Sequence, residues 1–501
     1  ADQNLFLSRF HLDVAEGGDE VEVTVEIDPN DTTFTAKSSK TGKTQSISLR
    51  ADETRLTEEQ IDNILRENVY PSKDEFPAKP KEDDVSFATI LTAAEWNDHD
   101  DWPQFQRFLA RYPQHQQKWG ISFSRRLRLT ILDGDNSPIP DARVTLRLRP
   151  EKDDASCTDL GPLVTVTDHS GHVVFFLPPA DTFAGQQAEE LRHVPVFLEY
   201  ASPSGSRVSH SVVINVMDDD DQEWTLTMPR KRKTTQSDND KAKNDANKLN
   251  IEIAFVVDTT GSMEDELEFI QDELVDILGQ IKRRVNNNNR AGNTNIRKYP
   301  ARSRSLGSIR VGTVMYRDRG DDYVTKVHDL TTDYVALQEF IDEQSAGGGG
   351  DYPESINEAL RESLKTLTWT QANPGGLSRE SSLLMSEKMN EGLTVRLLFL
   401  VADAPPHFYE DETYTYLNAV EDAAEMGIKI IPVAGSGINK ATELLLRSMA
   451  ARTAGKYIFL TDHSGVGDAH LSPDIDQYKP ETLNAILVRT IMELIGAEDG
   501  A

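Results

Sequence analysis

Leu397-Leu398-Phe399-Leu400-Val401 is an unbroken apolar run, and Asp403 follows it after one further residue. A strand with no polar position has no face to show to water, so both faces must be covered. The same character marks Ile251–Val257, Ile309–Tyr316, Val395–Ala402, Ile428–Ala434 and Lys456–Leu460 as candidate strands. The segments between them have helical spacing. In the first, Met263, Leu267, Ile270, Leu274, Ile277 and Ile281 recur at intervals of three and four. Buried strands alternating with amphipathic helices predict an α/β fold over residues 249–501, a doubly wound parallel sheet with helices on each face. Two polar insertions, Val285–Ser308 and Thr370–Gly392, read as long surface loops.

The preceding residues follow other periods. In residues 121–229, Leu127, Leu129 and Ile131 alternate with polar residues, as do Val144, Leu146 and Leu148, and Val208, His210, Val212, Ile214 and Val216. Turn signals such as Asp133-Gly134 and Ser170-Gly171 separate the runs, which predicts a central antiparallel β-sandwich. Ile131-Leu132-Asp133, Ile139-Pro140-Asp141-Ala142-Arg143-Val144 and Val166-Thr167-Asp168 with Gly171-His172-Val173 resemble the transthyretin-like or carboxypeptidase-regulatory-like sandwich over about a hundred residues. The resemblance implies a spacer or binding platform.

Residues 1–120 read as an N-terminal α+β region. Val21, Val23, Val25 and Ile27 alternate as in a strand, and Asp28-Pro29-Asn30-Asp31 reads as a turn. Thr57 and Gln60 fit a capping box, Tyr70–Asp84 reads as a loop, and residues 86–118 read as helical with Trp96, Trp102, Phe105 and Phe108 as packing anchors. A flexible linker is expected at 230–248, opening on the basic run Arg230-Lys231-Arg232-Lys233.

Charge narrows the functional classes. The 501 residues hold 53 Lys plus Arg against 84 Asp plus Glu, a net −31. The excess is −15 over residues 1–250 and −16 over 251–501, so it is not an acidic tail. A chain this negative does not suit nucleic acid or an anionic membrane, both of which need a positive field. Cys157 is the single cysteine, so the sequence holds neither an intrachain disulfide nor a Cys-rich zinc site. No stretch reaches the ~18–20 apolar residues of a transmembrane helix. Asp218-Asp219-Asp220-Asp221 reads as a solvated acidic hairpin tip, with Ca²⁺ binding as the alternative.

The chemistry gathers at strand ends. Asp258-Thr259-Thr260-Gly261-Ser262 directly follows Phe255-Val256-Val257 and opens a helix. In open α/β sheets, ligands bind at the carboxyl ends of the strands. One carboxylate and two hydroxyls at alternate positions of such a turn can face one point, and hard oxygens suit Mg²⁺, Mn²⁺ or Ca²⁺. Asp403 stands at an equivalent strand end, and Asp351 follows Gly347–Gly350. Asp318, after the strand ending at Tyr316, and His407, in Asp403-Ala404-Pro405-Pro406-His407, are candidates for an outer shell, as is Glu354. The Gly run lacks the Lys-Ser/Thr of a phosphate-binding loop, and the Arg319-Gly320-Asp321 triplet reads as chance.

Asp258-x-Thr260-x-Ser262 with the later Asp403 resembles a von Willebrand factor type A domain carrying a metal-ion-dependent adhesion site, over roughly residues 249–495. The resemblance implies one divalent cation, Mg²⁺ or a similar ion, held by Asp258, Thr260, Ser262, Asp403 and a middle-loop ligand, with an acidic side chain of a protein partner in the open position. That middle-loop ligand is a Thr in the family. Here Asp351, Glu354 or Ser355 could serve, and position after the Gly run favours Asp351. The implied function is cation-dependent protein binding or adhesion without catalysis, in a secreted, periplasmic or cell-surface setting, with the cytoplasm as the other option. The alternatives are an accessory subunit of an ATPase or metal-chelatase assembly, and a metal-dependent hydrolase with His407 or Glu354 as base. The oligomeric state is not fixed by these features.

Overall fold

The computed structural model describes residues 21–28, 31–38, 44–50, 91–123, 125–147, 162–177, 193–201, 207–215, 221–228, 248–290, 304–371, 393–461, 473–475 and 478–497. The expected capping box at Thr57, the loop at 70–84, Cys157, Asp218–Asp220, the linker up to residue 247 and the insertion at 372–392 lie outside them.

The chain divides into two compact units, Ala1–Lys73 and Asp74–Ala501. In the first, β1 (Val21–Asp28), β2 (Asp31–Ser38) and β3 (Thr44–Arg50) form an antiparallel three-stranded sheet. Asp28 pairs with Asp31, so β1 and β2 flank the Pro29-Asn30 pair where a turn was expected.

The second unit holds a strand, two helices, a sandwich and a large layered sheet. In chain order it runs β4 (Thr92–Trp96), α1 (Trp102–Arg111), α2 (Pro113–Trp119), β5 (Arg125–Leu132), β6 (Arg143–Arg147), β7 (Pro162–Val166), β8 (His172–Leu177), β9 (His193–Ala201), β10 (Arg207–Asn215), β11 (Asp221–Thr227) and β12 (Lys248–Asp258). Then follow α3 (Glu264–Arg290), β13 (Ser305–Tyr316), β14 (Thr325–Thr331), α4 (Tyr334–Asp342), α5 (Ile356–Lys365), β15 (Leu393–Ala402), α6 (Tyr416–Met426), β16 (Ile428–Ala434), α7 (Lys440–Arg452), β17 (Tyr457–Thr461), β18 (Glu481–Thr482) and α8 (Leu483–Leu494).

The sandwich sets β10-β9-β6-β7 against β11-β5-β8. Leu127, Leu129 and Ile131 from one sheet meet Val144 and Leu146 from the other in one core, as the alternation requires. The expected all-antiparallel pairing is not what forms, because β11 runs parallel to β5, Asp221 beside Arg126 through Thr227 beside Leu132. Alternation fixes which face a side chain takes; it says nothing of strand direction. Asp221, the one described residue of the acidic run, accepts 2.9 and 2.7 Å hydrogen bonds from Arg126.

The large sheet has the order β14-β13-β12-β15-β16-β17-β4-β18. Its middle, β13-β12-β15-β16-β17, is parallel, as the apolar runs predict. Its edges are not. β14 pairs antiparallel with β13, β4 with β17, and β18 with β4, so the sheet is mixed. Alternate residues of the middle strands serve separate cores. Ile251, Ile253, Phe255 and Val257 of β12 join Leu397, Phe399 and Val401 under α3, α4 and α8. Ala254 and Val256 join Leu398, Leu400 and Ala402 under α5, α6 and α7, where α1 and α2 also pack. Every β15 residue is therefore buried. Each such Leu, Ile or Phe gains roughly 1.5–3 kcal/mol on burial.

Three boundaries differ from expectation. The region 1–120 is split, since β4 joins the sheet of residues 249–501 and α2 packs on α7. Ala93, Ala94 and Glu95 are good helix formers, yet pairing with β17 places them in a strand, because tertiary pairing outweighs so small a propensity. The anchors Trp102, Phe105 and Phe108 are buried as expected. Finally, α3 continues through Arg290, so the first six residues of the stretch read as a loop are helical.

Candidate functional site

Neighbouring parallel strands deliver acids side by side. β12 lies between β13 and β15 with Asp258 beside Tyr316 and Val257 beside Val401. Asp258 ends β12, Asp318 stands two residues past β13, and Asp403 comes directly after β15. Asp258 is 0% exposed and Asp403 6%. The turn after β12 satisfies one oxygen of Asp258: Thr260 N donates to Oδ1 at 2.9 Å and Thr260 Oγ1 donates at 2.7 Å. The other oxygen, Oδ2, has no partner at good hydrogen-bond geometry, with the Tyr316 hydroxyl as the donor near this carboxylate. Asp403 faces the Ser262 hydroxyl, while its Oδ1 is buried without a partner.

The middle loop is laced across these strand ends by its backbone. Gly347 N donates to Thr259 O at 3.0 Å, and Gly261 N to Gly348 O at 3.3 Å. Gly348 and Gly349 have φ of +79° and +73°. A Cβ on Gly348 would lie 2.4 Å from Asp321 Oδ2, which accepts instead from Gly349 N at 2.9 Å and Asp318 N at 3.2 Å. Glycine is required here both for the left-handed backbone and for the close approach. The Arg319-Gly320-Asp321 triplet thus has local work: Asp321 braces the loop, and Arg319 pairs with Glu358 at 2.6 Å and Asp411 at 2.8 Å. Further on, Glu354 N donates to Pro405 O at 2.9 Å and His407 N to Glu354 O at 3.0 Å. The middle loop and the loop after β15 are therefore locked together.

The lacing brings Glu354 to Asp258 and Asp403. Glu354 is 4% exposed, with Oε2 buried and unpartnered. Burial pushes its pKa up to about 10, and the charges of Asp258, Asp318 and Asp403 push the same way. Burial and Asp403 likewise push Asp258 up to about 7. The Tyr316 hydroxyl lies beside Asp258, and burial lifts it well above 10. Asp351, favoured from its position after the Gly run, stands elsewhere: its side chain is 65% exposed, and its Oδ1 is 3.5 Å from His407 Nε2. Ser355 is buried at the N-cap of α5. Position after the Gly run favoured Asp351; the backbone bridge between Glu354 and Pro406 instead sets Glu354 beside the loop after β15.

One acid went unread in the sequence. Glu266, in the first turn of α3, is 3% exposed with Oε2 unpartnered, and burial then Asp403 push it up to about 7. Gly435, after β16, makes room for it, since a Cβ there would lie 2.8 Å from Glu266 Oε1. Its signal was the spacing of four from Ser262, which puts both on one helix face, but an acid in a first helical turn ordinarily reads as a dipole partner.

Buried carboxylates of like charge need protons or a cation. The donor set, carboxylates with the hydroxyls of Thr260 and Ser262, is one that hard divalent ions take. Among the described residues, the trio of acidic or His side chains whose ligand atoms all lie within 4.8 Å of one another is Asp318, Asp351 and His407. Asp258, Asp403 and Glu354 do not form such a trio within that distance.

No family model matches the chain, and no curated protein matches it. Among solved structures, the open form of the pilus adhesin SpaC from Lactobacillus rhamnosus GG overlaps 61% of this chain at a TM-score of 0.28 and 11% identity. This chain spans 32% of the length of that adhesin. Proximal thread matrix protein 1 of the mussel byssus overlaps 42% of this chain and 41% of its own, at a TM-score of 0.25 and 13% identity. The N-terminal domain of TFIIH p34 overlaps 44% of this chain and 93% of its own, at 0.23 and 13%. Overlaps this weak do not define the fold. No helix among the described residues is long and apolar enough to cross a membrane.

Proposed function

We propose that this is a divalent-cation-dependent protein-binding or adhesion protein, with the cation at the carboxyl ends of β13, β12 and β15. The observation that carries the reading is the set of buried carboxylate oxygens without partners: Asp258 Oδ2, Asp403 Oδ1, Glu354 Oε2 and Glu266 Oε2. A folded chain keeps such groups dehydrated and mutually repelling only at a cost of several kcal/mol, and Mg²⁺, Mn²⁺ or Ca²⁺ removes that cost. Asp258, Ser262, Asp403 and Glu354 are the ligands in this reading. Thr260 holds Asp258 in its rotamer and offers its remaining lone pair. Glu266 accepts from waters of the ion.

The resemblance to a von Willebrand type A domain with an adhesion site supports the same cation and the same first and third loops. It differs at the middle loop, where a carboxylate replaces a hydroxyl. That extra charge strengthens metal binding and leaves less positive charge for capturing an acidic partner, so a partner's carboxylate binds through coordination to the ion. The chain's own −31 would repel it otherwise. The hydrolase reading needs a free base beside the ion. Glu354 is buried among acids, and His407 faces Asp318 and Asp351.

Titration calorimetry of chelator-stripped protein with Mg²⁺, Mn²⁺ and Ca²⁺ tests the reading. Saturable binding in the wild type, lost in Asp258→Ala, is expected. No saturable binding below millimolar concentration would overturn it.

A further inference from the structure

We infer that Asp318, Asp351 and His407 form a second cation site, at the outer edge of the acid floor where Asp318 meets Glu354, and suited to a borderline transition ion such as Zn²⁺. His407 Nε2 stands 3.6 Å from Asp318 Oδ1 and 3.5 Å from Asp351 Oδ1. Both distances exceed the roughly 3.2 Å limit of a good N–H···O bond. One ring nitrogen thus faces two carboxylate oxygens, with neither at the distance of a strong hydrogen bond. Separations of about 3.3–3.5 Å are the ligand-to-ligand edges of a tetrahedron with metal–ligand bonds near 2.0–2.15 Å.

The independent observation is Asp318 itself. Its side chain is 8% exposed, and the oxygen aimed at His407 is the one with no hydrogen-bond partner. An arginine would be the ordinary companion of such an oxygen, and the two beside it are engaged elsewhere. Arg317 donates to Thr259 O at 3.0 Å and to Ser345 O, and Arg319 holds Glu358 and Asp411.

Two of the three groups are fixed by the fold. Asp318 follows β13. His407 is fixed by its backbone bond to Glu354 O, by Asn357 Nδ2 donating to His407 O at 3.2 Å, and by stacking on Tyr409 at 4.7 Å. Asp351 lies at the rim, exposed enough to leave a fourth position open to water. An imidazole in the donor set selects against Mg²⁺ and Ca²⁺, which take oxygen, and for Zn²⁺ and its neighbours.

Asp318 touches Glu354 of the first site, but this site draws its ligands from other side chains, so the two are tested separately. The test uses the full chain, stripped of metal and titrated with Zn²⁺ in millimolar Mg²⁺. The chain has 11 His, so the readout is the difference between variants. His407→Ala and Asp351→Asn should each weaken the tightest zinc equivalent at least about tenfold, whereas Asp403→Asn should retain it. Asp351→Asn changes a mostly exposed side chain, so it keeps the test valid if His407→Ala misfolds. An isotherm unchanged in Asp351→Asn, or zinc binding abolished by Asp403→Asn, would overturn the inference. Mg²⁺ titrations of the same samples report on the acid floor separately: zinc binding that persists without Mg²⁺ binding would leave this site standing alone.

Discussion

The large sheet buries two clusters of acids, and they are treated in opposite ways. Behind α7, Arg447 donates to Asp98 at 2.5 and 3.1 Å and to Glu443 at 3.2 Å, while Lys440 reaches Glu443 at 2.7 Å. Asp474 N also donates to Glu443, at 2.9 Å, and Gln104 accepts from Arg447 at 3.2 Å. Asp98 and Glu443 therefore have their charge and hydrogen bonds answered within the chain. At the crest of the same sheet, Asp258, Asp403, Glu354 and Glu266 are buried as deeply, each with an oxygen that has no hydrogen-bond partner among the described residues. The first cluster ties the segment after β4 to α7 and is structural. The second concentrates buried negative charge with raised carboxyl pKa values, the feature on which the proposed cation site rests.

Breaking the paired cluster should have the largest effect. Arg447→Ala leaves Asp98 buried without its cation and Glu443 with Lys440 alone, and about 3–5 kcal/mol of stability should be lost in denaturant melts, with no recovery in Mg²⁺. The unpaired cluster should respond with the opposite sign. Asp258→Asn removes a buried charge, so the chelator-treated variant should be roughly 2–4 kcal/mol more stable than wild type at pH 8 and should lose the Mg²⁺-dependent rise in Tm.

The pH dependence follows from the same shift. Asp258 is raised from 3.8 to about 7, so the folded state holds its proton more tightly than the unfolded chain does. The penalty is absent below about 3.8, grows as pH rises toward about 7, and is complete above it. Glu266, raised to about 7, adds in the same direction. Metal-free protein should lose Tm between pH 5 and pH 8, and saturating Mg²⁺ should flatten that slope. A flat slope without metal would show that the crest acids have a partner after all.

Smaller effects separate the two acids of the middle loop. Glu354→Gln should weaken Mg²⁺ about tenfold or more by calorimetry, and Asp351→Asn should change it less than about threefold. Equal effects would merge the acid floor with the His407 trio. Least of all, Arg319→Ala breaks surface pairs and should cost no more than about 1 kcal/mol.

Legibility in the sequence depended on whether a signal was local. The apolar runs of β12 and β15 dictated a twice-covered parallel core, and the acids at their ends were placed correctly because strand ends are read directly from the chain. The edges were not readable. Ala93-Ala94-Glu95 has no strand signal, and only the open edge of β17 recruits it. The direction of β11 was hidden for a similar reason: alternation is identical in parallel and antiparallel strands. Glu266 was hidden because its partner in space, Asp403, is far away in sequence.

By itself, then, the sequence determined a covered α/β sheet with Asp258 and Asp403 at adjacent strand ends, since hydrophobic period and strand polarity are properties of short segments. Tertiary structure alone decided which acid of the Gly-rich loop faces them. Asp351 and Glu354 are three residues apart, and the choice between them rests on the backbone bonds from Glu354 to Pro405 and from His407 to Glu354. Those bonds join loops some fifty residues apart, a closure that only the assembled sheet makes possible.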